Sequence, residues 1–128
     1  MARLEVQPLP DLPSAAAAAF HRDFLPRAAA LLQGGAALLQ GGAALLQGGA
    51  PCLTLVFAAA DHTHRGWRLA AVQTLAREHT AARVNAIAGG GAPAIAAAQA
   101  YLEAADGVTG QYLPLDDAGA GLVVLPAE

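Results

Sequence analysis

The sequence predicts an α/β domain in which helices flank a short parallel sheet of three or four strands, giving three layers. Short apolar runs alternate along the chain with longer segments of helical periodicity, and strands that are joined through helices pair in parallel. Glycine and proline residues separate the two kinds of segment, as they do at the ends of regular elements. The 128 residues are few enough for one domain, which we assign to residues 1–128.

Five segments are candidates for strands. Each is a short run of mostly apolar residues, as expected for a strand that is buried in a parallel sheet. We expect the sheet to end either at Leu53–Phe57 or at Leu4–Val6 beside it, which leaves one strand with an unpaired edge. The five segments are Leu4–Val6, Leu53–Phe57, Arg83–Ala88, Gly110–Leu115 and Leu122–Leu125.

The first expected helix follows the N-terminal segment. Ser14 can cap a helix that begins in the alanine run at 15–19. Pro26 would kink this helix or divide it, because proline lacks the amide hydrogen that a helix interior needs. The buried face should carry the apolar residues at helical spacing, which are Phe20, Phe24, Ala28 and Leu31.

Two further helices are expected between the later strands. Asp61 or Thr63 should cap one that runs to about Thr80, and its buried face is Leu69, Val72, Leu75 and Ala76. The other begins at Pro93, since proline is favoured at a first helical position, and turns inward Ile95, Ala98 and Leu102.

Residues 29–49 are three copies of the seven-residue unit Ala-Ala-Leu-Leu-Gln-Gly-Gly. Seven residues are nearly two helical turns, so a continuous helix would stack the leucine pairs on one slowly drifting face. The six glycines oppose such a helix, each by about 1 kcal/mol relative to alanine. We interpret one copy as part of the fold and the other two as a tolerated insertion; the alternative is a functional oligomerising helix.

The composition excludes several partners. A net charge of −3 gives no electrostatic reason to expect nucleic acid or an anionic membrane. The uncharged stretch Ala28–Ala60 is interrupted by glutamines, glycine pairs and Pro51, so we do not expect it to span a membrane. The single Cys52 and the absence of a signal-like apolar run near the start predict a cytoplasmic protein.

Two polar or flexible segments follow predicted strands, where ligands bind in parallel sheets. Asp61, His62 and His64 are candidate metal ligands, although their spacing equally fits a capping Asp beside solvated histidines. The glycines Gly89, Gly90 and Gly91 could admit a phosphate of a cofactor to backbone amides; the simpler interpretation is a tight turn. We favour the simpler interpretation in both cases, and we therefore assign no metal site.

Two stretches resemble the short-chain dehydrogenase/reductase (SDR) family. The sequence Leu-Ala-Arg-Glu at 75–78 leads into Arg-Val-Asn-Ala-Ile at 83–87, and Val-Thr-Gly-Gln follows at 108–111. Both are similar to segments of the C-terminal half of these enzymes, in the same order. The resemblance covers roughly Leu53–Asp117 and implies a Rossmann-like fold, with Ser14–Leu32 as the long helix before the strand that bears the family's serine.

The catalytic residues that the resemblance implies are missing. Family members use a Tyr that exchanges a proton with substrate, a Lys four residues later that lowers its pKa, and a Ser that orients the carbonyl. Asp61 lies at the tyrosine position, Arg65 at the lysine position, and 58–60 are alanines where the serine is sought. The chain contains no lysine, and the family's glycine-rich nucleotide turn is absent with the first half of the fold. We therefore assign no catalytic residues.

These observations predict a non-catalytic, SDR-like subunit for oligomerisation or interaction, rather than an enzyme. The expected partner is a second copy, as a homodimer, or a full-length SDR-like chain. No cofactor is expected, and NAD(P) would bind only if a partner supplied the missing half. The alternative is a domain that binds a small ligand, nucleotide or metal, or a divergent oxidoreductase, using the strand-end crevice at 61–65 and 89–91.

Overall fold

The computed structural model describes residues 2–40 and 52–115. Four strands form one sheet in which every pair is parallel and the order is that of the sequence, β1-β2-β3-β4. The strands are β1 Ala2–Glu5, β2 Cys52–Phe57, β3 Arg83–Ala88 and β4 Tyr112–Pro114.

Helices fill each connection between neighbouring strands. They are α1 Pro13–Asp23, α2 Leu25–Gln40, a short 3-10 turn His62–His64 that leads into α3 Arg65–Glu78, and α4 Ala92–Ala104. Leu55 of β2 packs with α1, α2 and α3 on one face of the sheet, whereas its neighbour Val56 packs with α4 on the other. The predicted three-layer, Rossmann-like α/β fold is therefore confirmed. Within the described segments, no helix is both long and apolar enough to cross a membrane.

Two of the predicted strands agree with the structure: β2 contains the expected Leu53–Phe57, and β3 matches Arg83–Ala88. The N-terminal strand lies beside β2 at the edge of the sheet, as expected, but it covers Ala2–Glu5 instead of Leu4–Val6. The strand predicted at Gly110–Leu115 is shorter, because Gly110 has a φ of 74° that an extended strand does not adopt. The candidate strand Leu122–Leu125 lies outside the described residues.

The helix before β2 differs from the prediction in two details. Ser14 does not cap it, because the helix begins at Pro13, one residue before Ser14. Leu12 is the N-cap and makes no side-chain cap. The fixed φ of proline suits the first turn of a helix. The helix is interrupted at Phe24, two residues before Pro26, as expected. After this break the buried face follows i, i+4 spacing from Phe24 to Leu32, so Leu31 is exposed instead of buried.

The first copy of the repeat belongs to α2. The helix continues through the glycines at 34–35 and includes the second copy as far as Gln40, so the glycine penalty of about 1 kcal/mol each does not stop it at the first pair. Residues 41–51 lie outside the described residues, and the insertion of two copies stays a prediction.

Asn85, buried in the middle of β3, holds the segment that leads into β4. Its side-chain amide donates to the carbonyl of Val108 at 2.9 Å, and its Oδ1 accepts the amide hydrogen of Gln111 at 3.0 Å. Next to it, the amide of Val84 donates to the Thr109 hydroxyl at 3.0 Å. The two family-like motifs thus bind each other and fix the approach of β4 to β3.

Arg83, at the start of β3, binds the end of α4. Its guanidinium donates to the carbonyls of Leu102 and Ala105 at 2.7 Å each, and to that of Glu103 at 3.0 Å. The last carbonyls of a helix have no partner within the helix and carry a partial negative charge. The arginine therefore stabilises α4 and ties it to the sheet.

We predict that Asn85→Ala lowers the free energy of unfolding by about 2–4 kcal/mol, because two main-chain groups lose their partner. Urea denaturation followed by circular dichroism measures this. The matched control is Gln111→Ala, since only the main-chain amide of this exposed residue takes part. Equal stability of the two variants would contradict the role given to the Asn85 side chain.

Candidate functional site

Asp61 begins the connection that follows β2. Its Oδ1 accepts the amide hydrogen of Thr63 at 3.0 Å and also the Thr63 hydroxyl. These two donors lower the pKa of Asp61 below its usual range. A carboxyl with a lowered folded pKa adds stability above its unfolded pKa, and that contribution is lost as the pH falls through the lowered value. Asp61 therefore acts as a cap, as predicted, but the element that it caps is the 3-10 turn that precedes α3.

His64, by contrast, is buried and engaged at both ring nitrogens. The indole N–H of Trp67 donates to Nδ1 at 3.0 Å, and Nε2 lies 2.9 Å from the carbonyl oxygen of Asp11. An indole nitrogen can only donate and a carbonyl can only accept. The geometry therefore requires a neutral imidazole with its hydrogen on Nε2, which joins the loop after β1 to the start of α3.

The three candidate metal ligands are not brought together for a metal. Oδ1 of Asp61 and both ring nitrogens of His64 already have partners, while His62 is exposed. In the described ranges, no group of three or more His, Cys, Asp or Glu side chains is placed to hold a metal ion. The capping interpretation accounts for Asp61, but that of solvated histidines is wrong for His64.

The glycines after β3 allow a close approach of two loops. Gly89 and Gly90 both have a φ of 78°, which glycine adopts without strain. A Cβ on Gly89 would lie 3.1 Å from the carbonyl oxygen of Leu115 and 3.2 Å from Cβ of Ala59. The Gly89 amide donates to the carbonyl of Phe57 at 3.1 Å, so it is not free for a phosphate. This geometry favours the tight turn.

A cavity of about 140 Å³ lies at the carboxyl ends of β1 and β2. The loop 6–11, residues 57–60, His64 and Arg68 line it. Neither the glycines nor His62 is among these residues, so the structure places the concave site beside the first two strands rather than across 61–65 and 89–91.

Arg68 is the charged side chain buried at this cavity, with 4% of its surface exposed. Its Nη1 donates to the carbonyl of Ala58 at 2.9 Å and to the Tyr112 hydroxyl at 3.0 Å. The guanidinium carbon lies 4.6 Å from the centroid of the Phe57 ring, within the range of a cation–π interaction. Nε is buried without a hydrogen-bond partner.

Sequence reasoning missed Arg68, although a signal was present. Arg68, Val72 and Leu75 follow i, i+4, i+7 spacing, and all three are buried. An arginine on the apolar stripe of a helix is unusual, because a buried charge needs compensation. That position alone marks it for attention.

A family model described as short chain dehydrogenase-like protein (SDR-like) matches residues 4–115. The match includes all the helices and nearly all the strand residues described above. The chain belongs to this SDR-like family. Searches of curated proteins and of solved structures found no match.

The positions implied by the family resemblance can now be placed. Asp61, at the tyrosine position, caps the turn before α3, and Arg65, at the lysine position, is exposed at the start of that helix. The alanines 58–60 line the cavity where the family's serine would be sought. None of these side chains offers the phenol, ammonium or hydroxyl of SDR chemistry.

We predict that His64→Ala lowers the free energy of unfolding by about 1–3 kcal/mol, because the partly buried Trp67 indole loses its acceptor. His62→Ala, on the same turn but exposed, should change stability by less than about 0.5 kcal/mol. Chemical denaturation of both variants measures the difference. Similar values for the two would contradict the assigned geometry.

Cys52 is buried at the start of β2, and burial raises the pKa of its thiol against the opposing effect of Arg83. Only the thiolate is nucleophilic, so we predict slow reaction with an aromatic disulfide reagent at neutral pH. The same protein in denaturant should react fast and stoichiometrically. Rapid labelling of the folded chain would show instead that Cys52 is accessible as a nucleophile.

Proposed function

We propose that this chain is a non-catalytic SDR-like protein that works as an interaction subunit and pairs with a second copy of itself along β1. The observation that carries the proposal is the position of β1 at the edge of the sheet, with β2 as its neighbour on one side. An unpaired edge is a template for pairing with another chain. The missing catalytic groups at Asp61, Arg65 and 58–60 support a role other than chemistry.

The main-chain hydrogen-bonding groups that β1 directs away from the sheet belong to two residues, Arg3 and Glu5. The amide of Val6 donates to the carbonyl of Val56 at 2.9 Å, so Val6 faces β2. Because main-chain groups alternate in direction along a strand, those of Leu4 also face β2, whereas those of Arg3 and Glu5 point away from the sheet. Within the described residues, these groups have no partner strand.

The charges on β1 favour a copy of the same strand. If two β1 strands paired antiparallel about a two-fold axis at Leu4, Arg3 of each copy would lie opposite Glu5 of the other. Opposite charges on facing residues stabilise a strand pair, and a two-fold interface repeats every contact. Within one chain, the Arg3 guanidinium already lies 2.5 Å from the Glu5 carboxylate, so both side chains occupy the same face.

We predict a weak homodimer whose population rises from micromolar to millimolar concentration, as measured by analytical ultracentrifugation. Arg3→Glu and Glu5→Arg should each weaken it about tenfold, since both symmetric pairs become like-charged. The double variant Arg3→Glu with Glu5→Arg should restore dimerisation. Arg22→Glu, which alters an exposed ion pair on α1, is the matched control.

A monomer over the whole concentration range would overturn the homodimer. A full-length SDR-like chain that binds the monomer with defined stoichiometry, and brings NAD(P) binding with it, would support the other partner instead. Reduction of a carbonyl substrate by the chain alone would contradict the non-catalytic role. We propose a cytoplasmic location on the basis of the single buried Cys52.

A further inference from the structure

The geometry points to a binding site for a small carboxylate in the cavity at the carboxyl ends of β1 and β2, with Arg68 as the residue that binds the anion. This site is separate from the outward edge of β1 and does not depend on dimerisation.

The first argument is the charge balance of Arg68. The groups that accept from its Nη1 are the neutral carbonyl of Ala58 and the neutral hydroxyl of Tyr112. The ion pairs of the described segments are Arg3–Glu5 and Arg22–Asp23, so no carboxylate there forms an ion pair with the Arg68 guanidinium. A buried charge is stable when it is paired, and an exchangeable anion in the adjoining cavity would supply that pair.

The second argument is the unused donor capacity of the guanidinium. In the described part, the hydrogen bonds found for this side chain are both made by Nη1, and none is made by Nη2. Nε also has no partner, but protein atoms enclose it, so the donors left for a ligand are those at the outer end of the guanidinium. Guanidinium presents its N–H groups in a planar fork that matches a carboxylate. The Phe57 ring and the Ala58 carbonyl hold this fork in place.

The size and lining of the cavity define the ligand class. A volume of about 140 Å³ is well below the roughly 300–1,000 Å³ of pockets that enclose larger ligands. Val6, Leu9 and Phe57 give the cavity apolar walls. Gln7, Asp11 and His64 add polar groups to the lining. One buried positive charge beside these apolar walls matches a short aliphatic monocarboxylate better than a phosphate dianion.

Asp11 is the opposing charge at the site. Asp11 lines the cavity and is exposed, while its main-chain carbonyl accepts a hydrogen bond from His64. A carboxylate at this position repels a bound anion, and removal of its charge should strengthen binding. A purely structural role of Arg68 predicts no such effect.

The test is a titration of the full chain with sodium propionate in place of sodium chloride at constant ionic strength. Trp67 is the single tryptophan, and its ring centroid lies 5.8 Å from the Arg68 guanidinium carbon, so its fluorescence reports on the site. We expect a saturable change for propionate. A branched carboxylate too large for the cavity should give none.

Three variants assign the binding to Arg68. Arg68→Met should weaken propionate binding at least tenfold, because the charge-assisted hydrogen bonds are lost. Asp11→Asn should strengthen it by about two- to fivefold at low salt. Arg77→Met, at an exposed position on the same helix, should leave it unchanged.

Several outcomes would overturn the inference. These are the absence of a saturable response in the wild-type chain, equal binding by Arg68→Met, and tighter binding of inorganic phosphate than of propionate. If Arg68→Met fails to fold, Asp11→Asn and Arg68→Lys decide. An unchanged affinity in both would refute the site.

Discussion

The packing around Phe57 links most of the structure. Its ring centroid lies 5.5 Å from that of Phe20, 5.7 Å from that of Trp67 and 6.3 Å from that of Tyr112. These contacts join α1, α3 and β4 to the end of β2. Alanine contributes little buried area per residue, so the few large side chains of this alanine-rich chain carry much of the core. The same ring lies against the Arg68 guanidinium. The packing of Phe57 thereby also positions Arg68 at the carboxyl end of β2.

The motifs that identify the family have a structural role here. Asn85 and Thr109 bind across the connection between β3 and β4, and Arg83 binds the end of α4. These contacts use main-chain partners, so they require a particular backbone path and no substrate. These contacts therefore hold the framework of the family without involving Asp61, Arg65 or residues 58–60.

The two proposals use different parts of the first two strands. Pairing along β1 depends on main-chain groups and on the charges of Arg3 and Glu5. Anion binding depends on Arg68, which lines the cavity at the carboxyl end of β2. The loop after β1 reaches over the cavity and is joined to α3 through His64. Alanines at 58–60 leave room there, because their side chains are small. Residues 58–60, where the resemblance places the family's serine, thus line a small cavity that also contains the buried Arg68.

The sequence by itself determined the order of strands and helices, because alternating apolar runs and glycine or proline boundaries depend on local physical chemistry. It also placed Asp61 and Arg65 at the positions where the resemblance implies a tyrosine and a lysine, since residue type alone decides whether a phenol or an ammonium is present. The break before Pro26 and the Asp61 cap were predictable for the same reason. Only the tertiary structure decided that Leu32 and not Leu31 is buried, that His64 is fixed at both nitrogens, and that Arg68 reaches a cavity. These outcomes depend on contacts between residues far apart in the chain, such as Asp11 with His64 and Arg68 with Tyr112, and no local pattern encodes such distances.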